Sequence, residues 1–448
     1  MAKLLMDLRN SLWFVPTVIV LSAAALALGA VELDLIVGRD VLSRFPRLFG
    51  VGAEGARQLL SAIAGSTITV TGVVFSITIV ALSLTAAQYS PRVLRNFMAD
   101  RPNQIVLGVF VGVYVYCLLV LRTVRGGEDS FIPGIAIIVA LVLALVSIGF
   151  LIFFIHHIAL SIQVSHIAAR IHGETIEAIR SVYPTRLEEA QAPVAEPSAW
   201  SFIAAERTGY IQQIDIDRLA GAARRAGRVA RMEKAVGEFV IAGYPLITVS
   251  GEEPPEREVA KALRSAYGIN SYRDIRQDPG FGVQQLVDIA LKALSPGMND
   301  VGTARNILHY LSAVLCELAG RAVEEERFVL CDGALAVVKR GCTFEQFLDS
   351  VFGAMRRDAI ERPDMTVELL SALREISQAA RAPARRAAVL TQVHAIREAL
   401  DARDLVSADS AAVRAAIQLV LAEPRLRDGP KGPSGAVPPV RADAAWPQ

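Results

Sequence analysis

The chain is short of the residues that most catalytic chemistry uses. It has six histidines and four cysteines in 448 residues. Cys117, Cys316, Cys331 and Cys342 form no CxxC pair and keep no zinc-ligand spacing. That argues against a metal finger or a disulfide scaffold and reads as free thiols in a reducing compartment. Charge is also scarce, at 20% of residues, below the roughly 25% of a soluble domain. A net charge of +1 leaves no basic footprint for nucleic acid. No Walker A, GxGxxG, Ser/His/Asp set or catalytically spaced carboxylate pair stands out, so nothing argues for an enzyme, a cofactor or a metal.

What is abundant is apolar. Hydrophobic residues make up 53% of the chain and mean hydropathy is +0.40. The excess lies in the first third, as four uncharged runs at 12–31, 63–85, 105–121 and 133–155. A helix crossing the hydrocarbon core needs about 20 apolar residues, within a range of ~17–25. All four runs qualify, and Trp13 sits where an amphipathic ring suits the membrane interface. The first run also reads as a signal peptide, since Ala27-Leu28-Gly29-Ala30 has small residues of the cleavage type. Its length exceeds the ~7–15 residues of such a core, which favours an uncleaved span. Four spans from an inside N-terminus, or three after cleavage, both put the C-terminal half in the cytoplasm. Lys and Arg are nearly balanced across the loops, so they add little to the orientation.

The pattern predicts a mainly α fold: a four-helix transmembrane domain over 1–160, then a cytoplasmic α+β region. From Pro133 to Tyr183 no proline interrupts, which predicts one long helix running out of the bilayer, with 161–187 as its extension and Gly149 and Gly173 as kink points. A Pro/Ala-rich linker follows at 188–197. A small β-rich module spans 200–252, with a strand at 209–215, a short helix capped by Asp217, and a strand, Gly turn and strand over 237–249. That last pattern is similar to the barrel-sandwich modules of biotinyl and lipoyl carriers. No lysine occupies the turn for attachment, so the similarity extends to shape alone. A helical domain is predicted over 256–422, including a capping box of Thr343 with Gln346. The Pro/Gly/Ala-rich segment 423–448 reads as disordered.

Several stretches are specific: SLWFVP at 11–16, VVFSIT at 73–78, YSPRVLRNF at 89–97, FIHHI at 154–158, QDPGFG at 277–282 and LVDIALKALSPGMND at 286–300. On these the chain resembles a bacterial family of predicted membrane proteins carrying a domain of unknown function, over roughly residues 10–420. The resemblance implies a multi-pass inner-membrane protein and no established activity. One departure is Val301, where the family usually has proline after the Asn-Asp pair.

Five groups of residues are candidates for function. In the second run, Thr67, Thr71, Thr78 and Thr85 share one helical face, and Thr69, Ser76 and Ser83 share the opposite one. Such stripes serve helix packing or line a wet pathway in an oligomer. No ionisable residue lies in any of the four runs, which counts against ion-coupled transport. Gly108 and Gly112 form a GxxxG that permits close helix approach. His156 and His157 stand where the fourth span meets the cytoplasmic interface; they read as interfacial hydrogen-bonding groups or as a pH sensor. Asp288, Asn299 and Asp300 belong to the densest polar cluster, 273–303, which reads as helix-ending and capping structure or as a functional turn. Arg92, Arg95 and Arg101, with Tyr89 and Phe97, suit anionic headgroups.

Two functional classes follow. One is an oligomeric, channel-like or pore protein regulated by its cytoplasmic domain. The other is a membrane-anchored sensor or scaffold whose cytoplasmic domain binds a partner, without transport. The lipid bilayer is a partner in both, and the first needs a homo-oligomer.

Overall fold

The computed structural model describes residues 13–42, 52–88, 101–126, 131–161, 163–183, 197–323, 326–331, 334–402 and 407–422. Four long apolar helices open it: α1 (Phe14–Leu42), α2 (Ala53–Gln88), α3 (Arg101–Thr123) and α4 (Gly134–Ser161). Each is long and apolar enough to cross a membrane. The motif at 89–97 with its arginines, the linker at 188–196 and the tail after 422 lie outside the described residues.

The GxxxG of α3 faces α1. A Cβ on Gly108 would stand 2.8 Å from Ile19 Cδ1 and 3.0 Å from the Pro16 Cα, and one on Gly112 would stand 3.3 Å from the Ala23 Cβ. Small residues there let the two backbones approach, which is how apolar helices associate in lipid. Ala27, Ala30, Ala136 and Ala140 are all buried and continue the same tight packing.

The first run extends further than its uncharged core. α1 continues through Glu32 and Asp34 to Leu42, and Asp34 is only 5% exposed within the segment able to span the membrane. The expectation of no ionisable residue in a span is thereby corrected. Hydropathy alone ended the run at Val31, whereas the helix carries its carboxylate onward because a neighbouring helix end receives it.

The expected single helix from Pro133 to Tyr183 is also corrected. α4 stops at Ser161 and α5 (Val164–Val182) begins after Gln163, which is extended. Ser161 turns its hydroxyl back onto the His157 carbonyl at 2.8 Å, as such residues do near helix ends and bends. α5 then belongs to the core of the C-terminal region: Ile167, Ala168, Ile171, Ala178 and Ile179 are buried in one cluster with the C-terminal helices.

Beyond α5 come β1 (Trp200–Ala204), β2 (Gly209–Ile214), α6 (Ile216–Arg225), β3 (Ala230–Met232), β4 (Phe239–Val240) and β5 (Pro245–Ser250). α6 is capped by Asp215, which accepts the Arg218 N–H, and not by the expected Asp217, which lies within its first turn. After α7 (Arg257–Arg264) and β6 (Tyr267–Asn270) come α8 (Pro279–Leu294) and α9 (Val301–Ala319). The hairpin β7 (Glu326–Cys331) and β8 (Ala334–Arg340) precedes α10 (Phe344–Leu348), a π-turn at Asp349–Gly353 and α11 (Ala354–Ala359). α12 (Pro363–Ala379), α13 (Pro383–Asp401) and α14 (Ser407–Leu421) end the described chain. The capping box of Thr343 with Gln346 is present.

The stretch from 256 onward is therefore not helical throughout. β6 joins β2 and β4 in a three-stranded sheet, and β7 and β8 complete a five-stranded one in the order β1-β5-β3-β8-β7. β8 lies parallel to β3, pairing Ala230 with Val337 and Arg231 with Val338. Parallel pairing needs a long crossover; here it carries α7, α8 and α9. The β-rich stretch and the helical stretch are stitched together by that return.

Candidate functional site

The stitching leaves a cavity of about 450 Å³ where several parts of the region after the fourth span meet. The end of α5 contributes Ser181, Val182 and Tyr183; the β2–α6 junction contributes Gln213 to Asp217. Met232, Ala235 and Val236 form another wall, and the end of β8 supplies Lys339, Arg340, Gly341 and Cys342. The floor is the QDPGFG motif through Gln277, Asp278, Pro279 and Gly280, with Phe347 beside it.

Each residue of that motif has a structural task at this meeting point. Gln277 Oε1 accepts the Ile214 N–H at 3.0 Å, tying the motif to β2. Asp278 caps α8 by accepting the Phe281 N–H at 3.0 Å. Arg273 donates to both Asp278 oxygens, from Nε at 2.8 Å and from Nη2 at 3.0 Å. Pro279 occupies the first turn of α8, where its missing N–H is not needed. The Arg273 guanidinium lies over the Phe281 ring, 5.1 Å from its centre. A Cβ on Gly282 would fall inside the buried Thr175 side chain of α5, so glycine sets the α5–α8 contact. Gly237 has φ +90° and its backbone lies against the Asp278 carboxylate, where a Cβ would collide with it. Burial pushes the Asp278 carboxyl above its ordinary range, and Arg273 pulls it back only in part.

The other expected site residues fall elsewhere. Asn299 and Asp300 form the turn between α8 and α9. Asn299 adopts a left-handed φ of +47°, and its Oδ1 accepts from Arg362 at 3.0 Å. Asp300 accepts from the Thr303 N–H at 3.0 Å and from the Thr303 hydroxyl at 2.6 Å. Asp288 is not in this turn; it lies half-buried earlier on α8. His156 is exposed on α4, while the His157 ring stacks on Phe153 at 5.7 Å and its Nε2 stands 3.4 Å from Ser161 Oγ.

On α2, Thr67 and Thr71 are buried inside this chain, and Thr78 is half-buried. Their hydroxyls donate to the carbonyls of Ile63, Thr67 and Val74, each four residues back. The opposite stripe, Ser66, Thr69, Ser76 and Ser83, faces outward. The side chain of Thr85 lies outside the described residues. Among the described residues no group of three His, Cys, Asp or Glu stands ready to hold a metal.

The QDPGFG motif marks Asp278 in the sequence, and nothing local joins Arg273, Gly237 or the end of β8 to it. The residue before Pro279 was a legible cap signal. The partners of that carboxylate come from loops whose approach no local pattern encodes.

Residues 9–375 match the family model described as predicted membrane protein (DUF2254). Uncharacterized proteins of Mycobacterium tuberculosis and Mycobacterium bovis are each 34% identical over 434 residues, covering 92% of this chain and 82% of the relative. No solved structure matches.

Proposed function

We propose, for a chain that belongs to the predicted membrane protein family DUF2254, that it is a membrane-anchored sensor of the bacterial inner membrane. In this reading the C-terminal half lies in the cytoplasm. It binds a small ligand or a partner segment in the cavity between α5, the sheets and α8. The observation that carries the reading is the composition of that cavity. Its walls come from α5, which follows the fourth span, and from both halves of the soluble region. An occupant would therefore bear on the connection to the membrane directly, as ligands do at junctions between packed parts. The anchoring role needs nothing from the spans beyond packing, and the inward hydroxyls of α2 are already satisfied by their own helix.

A second reading, an oligomeric pore regulated by the cytoplasmic half, draws on one observation. Ser66, Thr69 and Ser76 face outward, where copies of the chain would meet or line a shared path. In that case the stripe Thr67, Thr71, Thr78 and Thr85 serves packing within each copy. His156 and His157 in a pH-sensing role, and the Asn299–Asp300 turn with Asp288 in a partner-binding role, are compatible with either reading.

The full-length protein in liposomes separates the two. The sensor reading expects no ion flux above protein-free vesicles. It also expects thermal stabilisation by members of a panel of small charged metabolites, lost in Val236→Trp, which fills the cavity. Flux from the wild type without any such stabilisation overturns it. Orientation is checked with Asp409→Cys, which should react with an impermeant maleimide only after cells are opened.

A further inference from the structure

Asp34 stands inside a membrane-spanning helix, and both of its oxygens are held by the start of another. Oδ1 accepts the Ile135 N–H at 2.8 Å and Oδ2 accepts the Ala136 N–H at 3.0 Å. The first N–H groups of a helix have no partner within it, and the positive end of its dipole favours an anion. Asp34 of α1 therefore caps α4 from outside. The same residue of α4 ties in a third span, because the Tyr116 hydroxyl of α3 donates to the Ala136 carbonyl at 3.0 Å.

The carboxylate is 5% exposed, and Ala136, Tyr116 and Cys117 around it are fully buried. With both oxygens already held and the side chain 5% exposed, the species considered at it is a proton. Among the described side chains, the charged ones at this end of the packed elements are Glu32 on α1, Glu54 and Arg57 at the start of α2, Arg122 on α3 and Arg125 just after it. All of these are exposed. Arg57 gives its guanidinium to the Val124 carbonyl at 3.2 Å. Among the described residues none of them forms an ion pair with Asp34, and Tyr116, itself beside Cys117, is the titratable group that faces it across the junction.

We propose that Asp34 is a proton-operated clasp between α1 and the start of α4. A protonated carboxyl turns one acceptor oxygen into a donor. One of the two amides then loses its partner, and the charge opposite the helix end disappears. The proton comes from water at that end of the bundle and returns to it, so no other reactant is needed. Intramembrane carboxylates are costly to keep unless they work, and this one joins α1 to α4 at Ala136, the residue that Tyr116 of α3 also holds. The clasp is independent of the soluble cavity.

The test is hydrogen exchange in the full chain in phosphatidylcholine vesicles, followed over 134–140 and corrected for the intrinsic pH dependence of exchange. At neutral pH the wild type should be protected, and Asp34→Asn, which offers one neutral acceptor, should exchange about tenfold faster. On acidification the wild type should rise to the rate of the variant, while the variant stays flat. Tyr116→Phe removes the third contact without removing the titrating group, and should keep the wild-type pH response. A wild type whose protection is flat across the range overturns the proposal, as does an Asp34→Asn protein that still responds. Should that variant fail to fold, the wild-type and Tyr116→Phe profiles decide, since both must lose protection in acid.

Discussion

The Arg273 guanidinium grips both oxygens of Asp278, at 2.8 and 3.0 Å, and the pair is largely shut off from water, with side-chain exposures of 23% and 6%. Two-pronged pairing of this kind depends on the planar fork of arginine. Removing Arg273 leaves a buried carboxylate without its cation. Arg273→Met should cost about 3 kcal/mol, and Arg273→Lys should recover only part of it. The pH dependence follows from the raised carboxyl of Asp278. A raised folded value means that the protonated form is favoured in the folded state. The contribution of that form is present at low pH and is lost as pH rises through the folded value. The deficit of Arg273→Met should therefore be greatest near neutrality and shrink on acidification. Thermal unfolding in detergent at several pH values measures it.

Gly282 holds α8 against Thr175 of α5 at a distance that excludes any side chain. Gly282→Ala should push the helices apart and lower stability by about 2 kcal/mol, the usual scale for overpacking. The double variant with Thr175→Ser should recover part of the loss, because it removes a methyl group that stands in the way. Equal stability of wild type and Gly282→Ala would contradict the close contact.

Asp300 caps α9 through Thr303, and those hydrogen bonds hold its carboxyl below the ordinary value of 3.8. A depressed folded value gives stability that is present above 3.8 and lost as pH falls through the folded value. Asp300→Ala should cost about 1 kcal/mol near neutrality, as a lost cap. Wild type and variant should converge in acid. A variant of unchanged stability that loses activity in cells would instead make this turn a functional site.

The two faces of α2 should differ. Thr71→Val with Thr78→Val removes hydroxyls that bond only to their own helix in the described contacts. It should leave both assembly and stability nearly unchanged. Thr69→Val with Ser76→Ala alters the outward stripe. If copies of the chain meet there, its oligomer should weaken by roughly 0.6 kcal/mol per lost hydrogen bond. Analytical ultracentrifugation in detergent reads both pairs. Loss of assembly from the first pair alone would reverse the assignment of faces.

Elements that depend on neighbouring residues were legible in the chain. Length and hydropathy identify the four spanning helices, because a helix in lipid must satisfy its own backbone and be apolar over its length. The spacing of Thr343 and Gln346 marks a helix start, and Gly108 and Gly112 mark a close approach. Tertiary structure decided the rest, and the reason is distance along the chain. Asp34 and Ala136 are 102 residues apart. The uncharged run ends before Asp34 because hydropathy cannot know that a helix terminus waits to receive its carboxylate. β8 lies in a stretch read as helical: its hairpin partner β7 is local, but the sheet that both strands join is reached only through β3, far upstream. The cavity is built from six separate stretches of the chain, and a sequence pattern reports only the contacts a residue makes within a few positions of itself. Asp278 shows both limits at once: its place before a proline announces a cap, while its burial and its hold on Arg273 and Gly237 exist only once the chain has folded.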